Sequence, residues 1–198
     1  WRSAHFGAHD TRIRFTAPAG MPLFVEAHDA EVMREELDGM VRWTVSMRVE
    51  HPWPAEPYGV VPMDYSPRVA VSTFPDYGSF ASTYRDMIGD RNAVTPAIQS
   101  LADELTQGID DPREQARVLY EWVAGNVRYV AIHLGRGGWI PHPAHEVLER
   151  RYGDCKDHVV LLGALLNAKG IRNSPALIHA GFSWWMPERP TPEAFNHM

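Results

Sequence analysis

Arg151-Tyr-Gly-Asp-Cys-Lys-Asp-His-Val-Val-Leu-Leu-Gly-Ala-Leu-Leu-Asn-Ala-Lys-Gly170 is the stretch on which the reading of this chain turns. Tyr152, Gly153 and Asp154 read as a tight turn. Cys155 to Ala168 reads as a buried helix, and Gly170 stands where a left-handed C-terminal cap belongs. The only cysteine, Cys155, falls in the first helical turn. Unpaired backbone N–H groups and the positive end of the helix dipole there favour a thiolate. A lone cysteine is more often a small buried apolar side chain. Its placement after a turn, beside polar Asp154 and Lys156, points instead to a nucleophile.

Towards the N-terminus, Ala144 to Arg151 is expected as a short helix, preceded by a Gly/Pro-rich loop over residues 134–143. Asp110-Asp111-Pro112 starts a helix with Ala116, Leu119, Tyr120, Val123 and Val127 on its apolar face, and Arg128 to Ile132 leaves it extended. Thr95-Pro96 gives an N-cap and a first-turn proline, followed by the stripe Ile98, Leu101, Ala102, Leu105, with Gly108 as the stop. Tyr77 to Met87 also reads as a helix. Before residue 75 the period changes. Val41 to Val49 alternates apolar and polar side chains and is the clearest strand. With the turn Leu37-Asp-Gly-Met40, residues 31–49 form a hairpin. Thr11–Phe15, Pro22–Ala27 and Arg68–Phe74 are further strands. Prolines at 52, 54, 57, 62 and 67 make residues 51–67 a linker or sheet edge. Beyond the cysteine helix, Ser174 to Gly181 is expected as a strand and Phe182 to Thr191 as loop. The order suits an α+β core rather than alternating βαβ units.

The 198 residues are 44% hydrophobic and 22% charged, ordinary globular composition with room for one large core or two small ones. A net charge of −6 provides no basic field, so no nucleic-acid partner is expected. No apolar run approaches the ~20 residues of a helical membrane span. One cysteine makes no internal disulfide and leaves the redox compartment open. The oligomeric state is not indicated. Trp1 and the mid-pattern stop at Phe195-Asn-His-Met198 read as cut ends, with no signal peptide between them.

A cysteine nucleophile needs a base, and ten histidines compete. His158 shares the Cys155 helix and is expected to point along it. His197 follows the expected strand and loop and suits a base facing the helix N-terminus. Asn196 is its neighbour and points to the opposite face of a strand. His142, His145, Cys155 and His158 form an alternative set for zinc, with two-residue gaps in each pair; against it, Pro143 interrupts the first pair. Gly135-Arg-Gly-Gly138 lacks the Lys-Ser/Thr of a phosphate loop. Trp139, Trp184 and Trp185 are candidates to line a groove, Trp184 and Trp185 as substrate contacts.

Residues 151–158, with Leu161-Leu-Gly-Ala-Leu-Leu-Asn-Ala-Lys-Gly-Ile171, resemble the core motif of the transglutaminase-like superfamily, whose fold is papain-like. Tyr120-Glu-Trp-Val-Ala-Gly-Asn-Val-Arg-Tyr-Val130 and residues 137–148 fit as well. Together they resemble the bacterial branch in which a β-rich domain of unknown function precedes the core. The resemblance covers most of 68–181; over 1–67 it rests on order. It implies an α+β fold: a core over 76–198 with helices packed on an antiparallel sheet, preceded over 1–75 by part of a β-sandwich-like domain. It implies a Cys–His–Asp triad with Cys155 as nucleophile and His197 as base, the Asp lying on a strand after Met198. Residues 1–198 by themselves are therefore expected to show weak or no activity. The oxyanion hole is expected at the Cys155 N–H, with Tyr129 and Trp139 as candidates for the second donor.

The activity implied is a thioester route on amide bonds of a protein or peptide. Hydrolysis and transfer to an amine are both open, and no cofactor is implied. The branch is often exported or membrane-attached in bacteria, which makes a periplasmic or extracytoplasmic place the expectation. The rival reading is a module that keeps the fold for binding or scaffolding without turnover.

Overall fold

Asp38-Gly39 closes the clearest hairpin, because Gly39 takes φ +67°, a conformation that costs glycine nothing. In the computed structural model, which describes residues 9–49, 59–60, 62–131, 138–181 and 186–198, this hairpin joins β3 (Glu31–Leu37) to β4 (Met40–Val49). The chain divides into two compact units, Trp1–Ser82 with His179–Phe195, and Thr83–Ile178 with Asn196–Met198.

In the first unit β1 (His9–Pro18), β4 and β3 make an antiparallel sheet in the order β1-β4-β3. Residues directly opposite share a face. Phe15 therefore meets Trp43 at 6.5 Å between ring centroids, and Arg34 on β3 lays its guanidinium 5.7 Å from the same indole. Val41 and Val45 are buried on that side, while Arg42, Thr44 and Ser46 line the other. A second sheet pairs β2 (Phe24–His28) with β5 (Arg68–Ser72). The Pro-rich segment departs from expectation: Pro62–Tyr65 forms a short helix, α1, since proline is compatible with a first helical position. Residues 51–58 and 61 lie outside the described residues.

The division between units falls inside α2 (Tyr77–Ile88). The second unit is built from α3 (Pro96–Leu105), α4 (Pro112–Asn126), α5 (Ala144–Arg150) and α6 (Cys155–Ala168). Thr95 caps α3, accepting from the Ile98 N–H, and Asp111 caps α4, accepting from the Arg113 N–H, each followed by its proline. The central element is α6, which buries Val160, Leu161, Ala164 and Leu165 against Ile98, Ala102, Leu119, Val123 and Val147. A helix apolar on most sides stays a helix only when surrounded in this way. Tyr120, expected on the apolar face of α4, is exposed; Trp122 packs against the core instead and carries Arg151 4.6 Å from its ring.

Two expectations near the cysteine are corrected. Tyr152–Gly153 is not a tight turn but β7, paired in parallel with β6 (Arg128–Tyr129). The reversal sits one residue earlier, at Arg151, with φ +59°. The strand expected over 174–181 reduces, among the described residues, to one antiparallel bridge between Ile178 and His197.

Leu161 is fully buried in α6. Leu161→Ala is expected to lower the unfolding free energy by about 2–5 kcal/mol. Denaturant unfolding, with the exposed Met33→Ala as a near-neutral control, measures it.

Candidate active site

The first turn of α6 is set by three consecutive constraints. Gly153 is buried with Asp157 pressed against it: a Cβ at 153 would lie 2.5 Å from Asp157 Cβ and 2.7 Å from its Oδ2. Only glycine admits that approach. Asp154 then caps the helix. Its carboxylate accepts from the Asp157 N–H at 3.4 Å, while Asp157 Oδ2 accepts from the Asp154 N–H at 3.2 Å, a reciprocal capping box. Lys156 donates to Asp154 Oδ2, with both side chains buried. A buried carboxylate persists when paired and hydrogen-bonded, and both aspartates are.

Cys155 opens the helix as its first residue, half-buried and free. At 3.6 residues per turn, Asp157 lies roughly 200° around α6 from Cys155 and His158 returns to the cysteine's side. The two sides carry different chemistry. On the far side, His142 donates its backbone N–H to Asp157 Oδ1 at 2.8 Å, and its Nδ1 lies 3.2 Å from both carboxylate oxygens. A pocket of about 40 Å³ lies between His142, Val147, Tyr152 and the two aspartates.

On the near side stands Tyr129. Its pairing with Gly153, held by the Val130 N–H to Gly153 O bond of 2.8 Å, brings it beside the helix entrance. There the Tyr129 hydroxyl is close enough to Cys155 to be coupled electrostatically to its thiol and backbone N–H. Tyr129 is half-exposed; its partial desolvation, followed by the charges of Cys155 and Asp154, raises its pKa. The His158 ring lies 5.8 Å from the Tyr129 ring. Its Nδ1 is 2.8 Å from the Asp154 carbonyl oxygen and its Nε2 3.0 Å from that of Val127. Each nitrogen faces a backbone carbonyl oxygen, to which a neutral ring donates from one nitrogen at a time.

Of the other candidates, Trp139 holds position through its carbonyl, which accepts the Tyr84 hydroxyl at 3.0 Å. His197 forms the bridge to Ile178, its N–H donating to Ile178 O at 3.1 Å. Among the described residues no hydrogen bond or ion pair joins the His197 ring to Cys155. Trp184 and Trp185 lie outside the described residues. The zinc set does not assemble: among the described residues no group of three His, Cys, Asp or Glu side chains is placed to hold a metal ion, and His142 meets Asp157 on the side of α6 away from Cys155.

Sequence reasoning missed Tyr84 and the His142–Asp157 pair. Tyr84 was visible only as one polar residue on the α2 helix. Its burial raises its pKa from 10.0 to about 12, with the charges of Cys155 and Asp154 contributing.

The model of the transglutaminase-like superfamily matches residues 99–175. The matched segment includes Cys155 at the start of the buried helix α6. No match is found among curated proteins. Of solved structures, one described as a candidate protease from Parabacteroides distasonis aligns over 81% of this chain at 20% identity, TM-score 0.67. This chain spans 32% of its length. A candidate cysteine protease from Cytophaga hutchinsonii aligns over 82% of this chain and 53% of its own at 15% identity, TM-score 0.35. The first likeness carries the α+β, papain-like fold and nothing finer.

Two outcomes follow from this geometry. Gly153→Ala is expected to destabilise the protein by about 1–3 kcal/mol through overpacking, read by denaturant unfolding. Tyr84 binds its proton more tightly folded than unfolded, so its contribution is intact below pH 10.0 and lost as pH rises towards about 12. Tyr84→Phe is expected to flatten that alkaline fall in unfolding free energy.

Proposed function

We propose that the protein is a thiol acyl-transfer enzyme of amides, with Cys155 as nucleophile and His197 as base. The observation that carries this reading is the single free cysteine at the first position of α6, with the β6 strand bringing Tyr129 beside the helix entrance. Thiolate, hydrogen-bond donors and helix N-terminus are the parts that acyl transfer through a thioester needs.

In the proposed sequence the Cys155 thiolate attacks the amide carbonyl carbon, and the carbonyl π pair moves onto oxygen. The Cys155 N–H and the Tyr129 hydroxyl donate to that oxyanion. Collapse expels the amine, which takes a proton from the His197 imidazolium, leaving a thioester on Cys155. His197 then removes a proton from the acceptor as it attacks, and the thiolate departs. Water as acceptor gives a peptidase or amidase; an amine gives a new amide. A protein or peptide is the substrate class this chemistry fits. The family match over 99–175 supports the reading at the level of thiol chemistry.

Iodoacetamide followed by intact-mass analysis tests the nucleophile. Cys155 is expected to alkylate faster than free cysteine at about pH 6. A rate equal to that of free cysteine supports a scaffold module instead. Tyr129→Phe is expected to slow acylation of Cys155 by p-nitrophenyl acetate by about 10²–10³-fold, as loss of an oxyanion donor does. Iodoacetamide alkylation, which passes through no oxyanion, should change little.

A further inference from the structure

We infer that His158 is a positioning residue that latches the Tyr129-bearing strand onto the nucleophile helix, and so sets the Tyr129 hydroxyl against Cys155. The inference rests on the thiol-enzyme reading and extends it to a residue outside the proposed catalytic pair. Three observations carry it. The His158 ring spans two elements, with Nδ1 2.8 Å from Asp154 O at the entrance of α6 and Nε2 3.0 Å from Val127 O at the C-cap of α4. Val127 is two residues before Tyr129, with only Arg128 between, so the bond at Val127 fixes the start of the strand that delivers the hydroxyl. The rings of His158 and Tyr129 lie 5.8 Å apart, so the imidazole also walls the phenol from the side.

The chemistry of the latch is restrictive. Both partners are carbonyl oxygens, which only accept. A neutral imidazole has one N–H and satisfies one of them; the imidazolium satisfies both. In the neutral ring the latch therefore works through one N–H, that of Nε2 facing Val127 O. The Val127 carbonyl lies at the end of α4, and β6 beyond it pairs with β7 over two residues, so the ring adds a hold where that pairing is short.

A double-mutant cycle on Cys155 acylation by p-nitrophenyl acetate tests this. His158→Gln is expected to slow acylation by about as much as Tyr129→Phe does, and to add little in the Tyr129→Phe background, because both remove the same hydroxyl from the site. Far-UV circular dichroism of each variant should match the wild type, which separates positioning from general loss of structure. Acylation of His158→Gln at the wild-type rate, or effects of the two changes that multiply, overturns the latch while leaving the thiol-enzyme reading intact. Absence of Cys155 acylation in the wild type overturns both. The wild-type protein gives a second reading that needs no variant. Long-range nitrogen–proton NMR correlation should find a proton on Nε2 of His158, hydrogen-bonded to Val127; a bare Nε2 overturns the latch.

Discussion

The close approach of Asp157 to Gly153 is the constraint on which the rest of this site depends. With any side chain at 153 the Asp157 carboxylate would be pushed off the Asp154 N–H, and the capping box would open. That box fixes where α6 begins, and therefore that Cys155 is its first residue and not its second or third. It also fixes the path of β7, whose pairing with β6 delivers Tyr129. Steric permission at one glycine thus reaches the thiol through two carboxylate-to-backbone hydrogen bonds and a two-residue strand.

The helix entrance carries an unusual concentration of buried charge. Asp154, Lys156 and Asp157 are all buried, and each is compensated by a different device: a lysine for Asp154, backbone N–H groups and His142 for Asp157. These groups sit on the side of α6 away from Cys155 or at its base, so the helix separates the buried charges from the proposed nucleophile. Desolvated, satisfied networks of this kind are rigid, and rigidity is what an oxyanion hole requires of its donors.

Much of the second unit was legible in the sequence because its signals are local. Thr95-Pro96, Asp111-Pro112 and the apolar stripe of α3 mark caps and faces within a few residues. Asp38-Gly39 between alternating segments marks the hairpin in the same way. The helix Cys155–Ala168 was readable from its continuous apolarity and the glycine that follows. What stayed hidden depends on pairing across the chain. A two-residue parallel strand such as Tyr152–Gly153 has no period to detect, and its turn-like composition pointed the wrong way. The Tyr120 position was misjudged because α4 rotates Trp122 inward, a choice made by tertiary packing and not by spacing alone. His142 meets Asp157, and His158 meets Val127, only after the helices fold together. The place of Cys155 at the start of α6 was legible from the sequence, whereas Tyr84 left no mark a single sequence shows.

The central claim is that Cys155 takes an acyl group from an amide. Hydroxylamine intercepts a thioester whichever acceptor the enzyme naturally uses. Incubating the protein with a peptide pool and hydroxylamine, then searching for peptide hydroxamates by mass spectrometry, tests the claim most directly. The account predicts hydroxamates with the wild-type protein and none with Cys155→Ala. Hydroxamates formed equally by both proteins, or by neither, would contradict it.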